Sequence, residues 1–163
     1  MNSDFQKVYF AGGCFWGVEF HFQNLPGVFS TKVGYMGGDL KKPTYEQVCT
    51  SGTGHAEVLE ITFDDNVITF EELAIHFFEI HDPTQADGQG PDIGNQYRSV
   101  IFYTNQEQKD SAQKLINILK EKGYKIVTEL KKAATFWEAE EYHQKYYTKT
   151  NAAPYCHIYT KRF

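Results

Sequence analysis

Apolar and polar residues alternate along several short stretches of the chain, and this alternation predicts strands. Leu59, Ile61 and Phe63 are separated by single polar residues, which is typical of a strand with one buried face. Residues 7–11 and 28–35 are further candidates because glycine pairs follow them closely. Two more strands are predicted at 98–104 and 124–130.

Capping residues mark where two helices begin. Thr69 and Glu72 form a capping box ahead of an apolar stripe, and Asn105 caps a second helix that ends before Gly123. Further helical segments are predicted at 15–24, around Cys49 and at 138–147, with coil over the last dozen residues. The mixture of helices and strands indicates an α+β domain with helices packed on a mixed sheet.

Composition and charge narrow the range of functions. The 163 residues include 13 Phe and 11 Tyr, so the core or a binding cavity is rich in aromatic rings. The net charge is −5 without a basic stripe, which argues against nucleic-acid binding. No stretch approaches the roughly 18 apolar residues of a membrane-spanning helix, and the N-terminal residues lack the apolar run of a secretion signal. We therefore expect one cytoplasmic domain.

Cys14 lies in the sequence GGCFWG, where a predicted strand turns into a predicted helix. Backbone N–H groups at a helix N-terminus favour a thiolate, and Phe15 and Trp16 suit an apolar substrate group. A buried cysteine in an aromatic core is the alternative, and these residues alone do not decide between the two.

The other two cysteines differ in their surroundings. Cys156 lies in the C-terminal coil, which suggests redox exchange, although a thiol packed against the surface fits the sequence equally well. Cys49 is predicted to be a packing residue.

Two carboxylates are candidates for acid–base work. Glu57 precedes the strand around Leu59, where burial would suit it to donate a proton, and the alternative is an ordinary surface glutamate. Asp92 follows a glycine-rich loop, as site residues often do, and the alternative is a structural turn. The six histidines have no metal-ligand spacing, so we predict neither a metal site nor a cofactor.

Six blocks of sequence resemble the peptide-methionine (S)-S-oxide reductases, the A family of methionine sulfoxide reductases. In chain order they are GGCFWGVE (12–19), PTYEQVC (43–49), GTGHAE (52–57), HDPTQ (81–85), GPDIGNQYRSVIFY (90–103) and AEEYHQKYY (139–147). The resemblance implies a single domain over 1–163, built as a ferredoxin-like two-layer sandwich with a mixed sheet, extra loops and a C-terminal coil.

The resemblance also implies the roles of the residues that bind and attack the substrate. Cys14 resembles the nucleophile, and Phe15 and Trp16 resemble the wall of a pocket for the substrate's S-methyl group. Glu57 resembles the proton donor to the sulfoxide oxygen. The substrate would be methionine S-sulfoxide, free or in proteins.

The remaining roles concern the oxygen site and the recycling of the enzyme. Tyr45 and Tyr97 resemble hydrogen-bond donors to the oxygen, and Asp92 resembles a polar supporter of the cluster that they form with Glu57. Cys156 occupies the place of the cysteine that resolves a Cys14 sulfenic acid as a disulfide, which thioredoxin would reduce. Pro154 departs from the family's usual glycine and restricts the tail backbone, and Cys49 is the rival second thiol. We expect a monomer.

Two other functions fit parts of the sequence. A cysteine hydrolase would need a histidine against Cys14 and would turn over a thioester but not a methyl sulfoxide. A non-catalytic peptide-binding module with an aromatic cleft would keep its full function after Cys14→Ser.

Overall fold

The computed structural model describes residues 5–50, 52–151, 157 and 159–163. In chain order, its strands are β1 (Phe5–Gly12), β2 (Val28–Met36), β3 (Ala56–Asp64), β4 (Gly88–Gln89), β5 (Asp92–Ile93), β6 (Ser99–Tyr103), β7 (Glu129–Lys132) and β8 (Trp137–Glu138). The helices are α1 (Phe15–Phe22), α2 (Tyr45–Cys49), α3 (Phe70–Ile80), α4 (Gln106–Glu121) and α5 (Tyr146–Thr150). Short 3-10 turns lie at Asn95–Tyr97 and Glu141–His143.

Six of the strands form one mixed sheet in the order β7-β6-β1-β3-β2-β8. The β6–β7 pair is parallel and the other neighbours are antiparallel. Strands β4 and β5 pair separately as a small antiparallel ribbon. The predicted α+β class with a mixed sheet is therefore confirmed.

The main core lies between one face of this sheet and helices α1, α3 and α4. Each helix buries an apolar stripe there, and the strands contribute alternate residues, among them Leu59, Ile61 and Phe63. The opposite face of the sheet has a smaller core around Met36 and Phe102. Glu57 lies two residues before Leu59 on the same strand, so the period of two places its carboxylate on the side of the main core.

Both predicted capping sites are confirmed. Thr69 and Glu72 form the reciprocal capping box of α3, and the Asn105 side chain accepts from the Gln108 N–H at the start of α4. The predictions at 15–24, 28–35 and 98–104 agree with α1, β2 and β6 to within two residues at each end.

Two predicted elements are wrong. The strand predicted at 124–130 begins only at Glu129, because residues 124–128 run as coil and the Val127 N–H donates to the Pro83 carbonyl instead of to a neighbouring strand. The helix predicted at 138–147 is broken into the end of β8, a 3-10 turn and the start of α5. Lys145 has a φ of 54°, a left-handed conformation that interrupts a helix.

Candidate active site

Cys14 lies at the junction between β1 and α1. Gly13 has a φ of 99°, a conformation that favours glycine, and it turns the chain sharply out of the strand. Cys14 is then the N-cap residue of α1, and its carbonyl accepts from the N–H groups of Gly17 and Val18. The thiol-bearing residue is 8% exposed. The structure therefore places Cys14 at a helix start, where it is almost fully buried.

Glu57 is tied to the residue that follows Cys14. The Phe15 N–H donates to Glu57 Oε1 at 3.1 Å. The second oxygen, Oε2, is buried and has no hydrogen-bond partner among the described residues. The pKa of Glu57 is raised to about 8: burial is the largest cause, the Phe15 hydrogen bond opposes it, and the nearby charge of Asp92 adds to the rise. At neutral pH Glu57 is thus a protonated acid whose second oxygen is available.

Two tyrosines face this acid. Tyr45 is the first residue of α2, and Tyr97 ends a 3-10 turn. The pKa of each is raised, first by burial and then by the charge that Glu57 carries once it is ionised, so both hydroxyls keep their protons. The two hydroxyls interact with each other. They are therefore neutral donors beside Glu57.

Cys49 does not pack in the core, and the prediction that it would is wrong. It is exposed at the C-terminal end of α2, a helix of five residues that buries Val48 alone among the described residues. The Cys49 thiol interacts with the Tyr45 hydroxyl, which lowers its pKa, but desolvation is the larger influence and raises it overall. Cys49 therefore lies beside Tyr45, at the edge of the cluster around Glu57.

Aromatic rings line the side of the site next to Cys14. Phe15 is fully buried, with its ring centroid 5.7 Å from that of Tyr35 and 6.4 Å from that of Tyr45. Trp16 is partly exposed and stacks on Tyr146 with centroids 3.7 Å apart and planes inclined by 5°. These rings form an apolar wall adjoining the thiol.

The structure brings together most of the residues that the sequence singles out. Cys14, Phe15 and Trp16 are consecutive, Glu57 binds the Phe15 N–H, and the other three interact electrostatically with Glu57: Tyr45, Tyr97 and Asp92. Cys156 lies outside the described residues. Its neighbour His157 is described, and its imidazole Nε2 lies 2.7 Å from the Gly12 carbonyl, two residues before Cys14.

Comparison with known proteins identifies the family. The family model described as peptide methionine sulfoxide reductase matches residues 6–163. The chain belongs to this family, as the sequence blocks predict. It is 54% identical over 150 residues to the peptide methionine sulfoxide reductase MsrA of Methanothermobacter thermautotrophicus, covering 90% of this chain and 89% of that relative. The chain is therefore an oxidoreductase of the A type.

Solved structures support the same assignment. The crystal structure of Mxr1 from Saccharomyces cerevisiae in reduced form superposes with a TM-score of 0.88 at 36% identity, covering 95% of this chain and 92% of that chain. The same yeast protein in complex with Trx2 superposes with a TM-score of 0.64 at 28% identity, covering 98% and 94%. The fold described above is thus the fold of this reductase family.

Sequence reasoning assigns no role to two residues that support the site of this family member. The Glu140 carboxylate accepts from the Tyr45 N–H at 3.0 Å and from the Tyr35 hydroxyl at 2.9 Å. The His143 imidazole accepts from the Trp16 indole N–H at 2.9 Å. Both lie in the block AEEYHQKYY, whose clustered polar and aromatic residues are the signal that could have pointed to them.

A cavity of about 400 Å³ opens beside the site, lined by His81, Asp82, Gln89 and Arg162 among others. Gln89 carbons come within 2.8 Å of the position that a β-carbon on Gly13 would take, so Gln89 adjoins both the cavity and the turn that precedes Cys14. Among the described residues no group of three or more His, Cys, Asp or Glu side chains could hold a metal ion. Nor does the described part of the chain contain a helix long and apolar enough to cross a membrane.

Proposed function

We propose that this chain reduces methionine S-sulfoxide, free or within proteins, to methionine by nucleophilic attack of Cys14. The proposal rests on the burial and protonation of Glu57. A buried carboxyl that stays protonated at neutral pH, with Oε2 unpartnered among the described residues, is suited to protonate an oxygen placed next to Cys14.

In the first step the Cys14 thiolate attacks the sulfoxide sulfur while Glu57 protonates the sulfoxide oxygen. The helix N-terminus favours the thiolate that this step needs. Attack forms a bond between the two sulfur atoms. That bond and the substrate's S–O bond then break as the hydroxyl is transferred to Cys14, so methionine leaves and Cys14 becomes a sulfenic acid. The substrate sulfur gains the two electrons that the cysteine sulfur loses. Glu57 is left ionised and regains its proton from solvent.

The surrounding residues orient the substrate for this step. Phe15 and Trp16 receive the S-methyl group in the aromatic wall. Tyr45 and Tyr97 donate hydrogen bonds to the oxygen, since both hydroxyls stay protonated beside Glu57. Asp92 supports the acid because its charge contributes to the raised pKa of Glu57.

Recycling follows through a disulfide and an external thiol. Cys156 attacks the Cys14 sulfenic acid, water leaves, and thioredoxin reduces the resulting Cys14–Cys156 bond. The contact of His157 with the Gly12 carbonyl supports this pairing, because it holds the residue after Cys156 against the chain just before Cys14. The yeast relative in complex with Trx2 supports thioredoxin as the reductant.

We also propose a ferredoxin-like core, on the basis of the order of the strands. Strands β6-β1-β3-β2 are antiparallel neighbours, α1 joins β1 to β2, and α3 joins β3 to β6 in sequence. This order supports the ferredoxin-like βαββαβ arrangement that the resemblance implies. We take residues 1–163 as one domain on this core.

A steady-state assay of methionine release from the S-sulfoxide, with dithiothreitol as reductant, tests the function. Glu57→Gln keeps the shape of the protonated acid but removes its proton, so the chemical step should slow about 10²–10⁴-fold. A Glu57→Gln enzyme as fast as the wild type would remove Glu57 from the mechanism. Turnover of a thioester without any methionine release would favour the hydrolase instead.

A further inference from the structure

His143 is a buried histidine outside the proposed chemical steps that contacts three of the site's aromatic residues. Its Nδ1 accepts the Trp16 indole proton at 2.9 Å. Its ring centroid lies 5.2 Å from that of Phe15 and 4.5 Å from that of Tyr45. The imidazole therefore touches both the apolar wall and the oxygen side of the site.

The segment that carries His143 is held in place by bonds that do not involve Trp16. The next residue, Gln144, accepts from the Val33 N–H at 2.9 Å and donates to the Val33 carbonyl at 3.0 Å. The Lys145 N–H and ammonium both donate to the buried carboxylate of Glu19. The segment around His143 is thus anchored to strand β2 and helix α1, and this anchoring holds the imidazole beside the indole.

The hydrogen bond also requires a particular form of the imidazole. Since Nδ1 accepts the indole proton, it must carry a lone pair, and the ring proton of the neutral form is then on Nε2. Burial lowers the pKa of His143 and keeps the ring neutral, although the Glu140 carboxylate, 3.9 Å from Nε2, acts in the opposite direction. Protonation of His143 would place an Nδ1–H against the Trp16 indole N–H, and the hydrogen bond between them would be lost.

The indole of Trp16 is consequently restrained in two ways. Tyr146 stacks on its face and fixes its plane, while His143 binds its edge and fixes its direction within that plane. We propose that His143 is a positioning residue that aligns Trp16 for the substrate's S-methyl group and so sets substrate affinity. This inference rests on the proposed function of Trp16.

Indole proton signals in NMR test the bond independently of activity. The chain has two tryptophans, so Trp137→Phe assigns the Trp16 signal. His143→Leu removes the acceptor, whereas His143→Asn keeps an oxygen near the place of Nδ1. In the leucine variant, we expect the signal of the Trp16 indole proton to move upfield and the proton to exchange faster with water. In the asparagine variant, we expect the chemical shift and the exchange rate to stay close to those of the wild type.

Kinetics then test the positioning role. Loss of one neutral hydrogen bond should raise KM for the sulfoxide about 2- to 10-fold in His143→Leu, while the single-turnover rate at saturating substrate stays within about twofold of the wild type. His143→Asn should restore KM. His76→Leu is the matched control. The His76 imidazole binds the His21 carbonyl, and its ring packs against His21, Phe22 and Tyr159. The KM of the His76→Leu variant should equal that of the wild type.

Equal KM values for the leucine variant and the wild type, or equal losses in the leucine and asparagine variants, would overturn the proposal. Rapid exchange of the Trp16 indole proton in the wild type would do the same, even if His143→Leu failed to fold. If the wild type released no methionine at all, the proposed function would fail, but the indole signal would still report whether His143 holds Trp16.

Discussion

The pKa of Glu57 has a consequence for stability that does not depend on catalysis. An ordinary glutamate has a pKa of 4.5, and burial raises that of Glu57 to about 8 in the folded protein. The unfolded chain therefore loses this proton near pH 4.5, whereas the folded protein keeps it until about pH 8. Glu57 contributes its full stabilisation below the unfolded pKa, and that contribution is lost as pH rises towards the folded pKa.

The size of the loss follows from the two pKa values. Each pH unit between them costs the folded state about 1.4 kcal/mol, so raising the pH from about 5 to about 7 should lower the free energy of unfolding by about 2–3 kcal/mol through Glu57 alone. Glu57→Gln does not titrate, and its amide oxygen can still accept from the Phe15 N–H. The variant should therefore gain about 2–3 kcal/mol over the wild type between the two pH values.

Urea denaturation of both proteins at the two pH values measures this difference, provided that unfolding is two-state. Glu121→Gln, at the exposed end of α4, is the matched control and should follow the wild type at both pH values. A difference between Glu57→Gln and the wild type that does not change with pH would refute the assignment of Glu57 as a buried neutral acid.

Three further predictions concern the reaction itself. Tyr45→Phe and Tyr97→Phe should each slow single-turnover methionine release less than Glu57→Gln does, because one hydroxyl can partly replace the other, and the double variant should be slower than either. Chiral chromatography of a racemic sulfoxide should show consumption of the S epimer alone, because the proposed site fixes the methyl group, the oxygen and the attacking thiol at three points. Equal rates on both epimers would contradict the proposed site. Cys156→Ser should release methionine in a single turnover and cycle with dithiothreitol but not with thioredoxin. A Cys14–Cys49 disulfide in the wild type after one turnover would transfer the resolving role to Cys49.

The fold could be predicted where the signals are local. Thr69 and Asn105 mark helix starts through their own side chains, and the alternation around Leu59 marks a buried strand, so both kinds of element are where the pattern predicts them. The helix predicted at 138–147 is wrong because the conformation of this segment depends on distant partners. Lys145 reaches Glu19, which is 126 positions away in the sequence, and this contact competes with the local helical pattern.

In the candidate site too, the residues that are close together in the sequence could be predicted, and those brought together by the fold could not. Cys14 and its aromatic neighbours are adjacent in sequence, and the strand-to-helix turn around them is visible from the glycines. In the sequence, Glu57 looks like an ordinary surface glutamate. It is in phase with Leu59 on strand β3, and the fold shows that this side of the strand is buried. His143 could not be placed, since its position beside Trp16 is set by a contact between separate elements. Cys49 lies on the same helix as Tyr45, and what the sequence did not show is that this short helix leaves Cys49 exposed.

Release of methionine in a single turnover without reductant tests the central claim most directly. Enzyme reduced beforehand and mixed with excess methionine S-sulfoxide should release about one methionine per Cys14, with the thiol converted to a sulfenic acid or a disulfide that mass spectrometry can locate. Cys14→Ser should release none, because a serine hydroxyl is too weakly acidic to replace the thiolate. An equal burst of methionine from the Cys14→Ser protein would contradict the account.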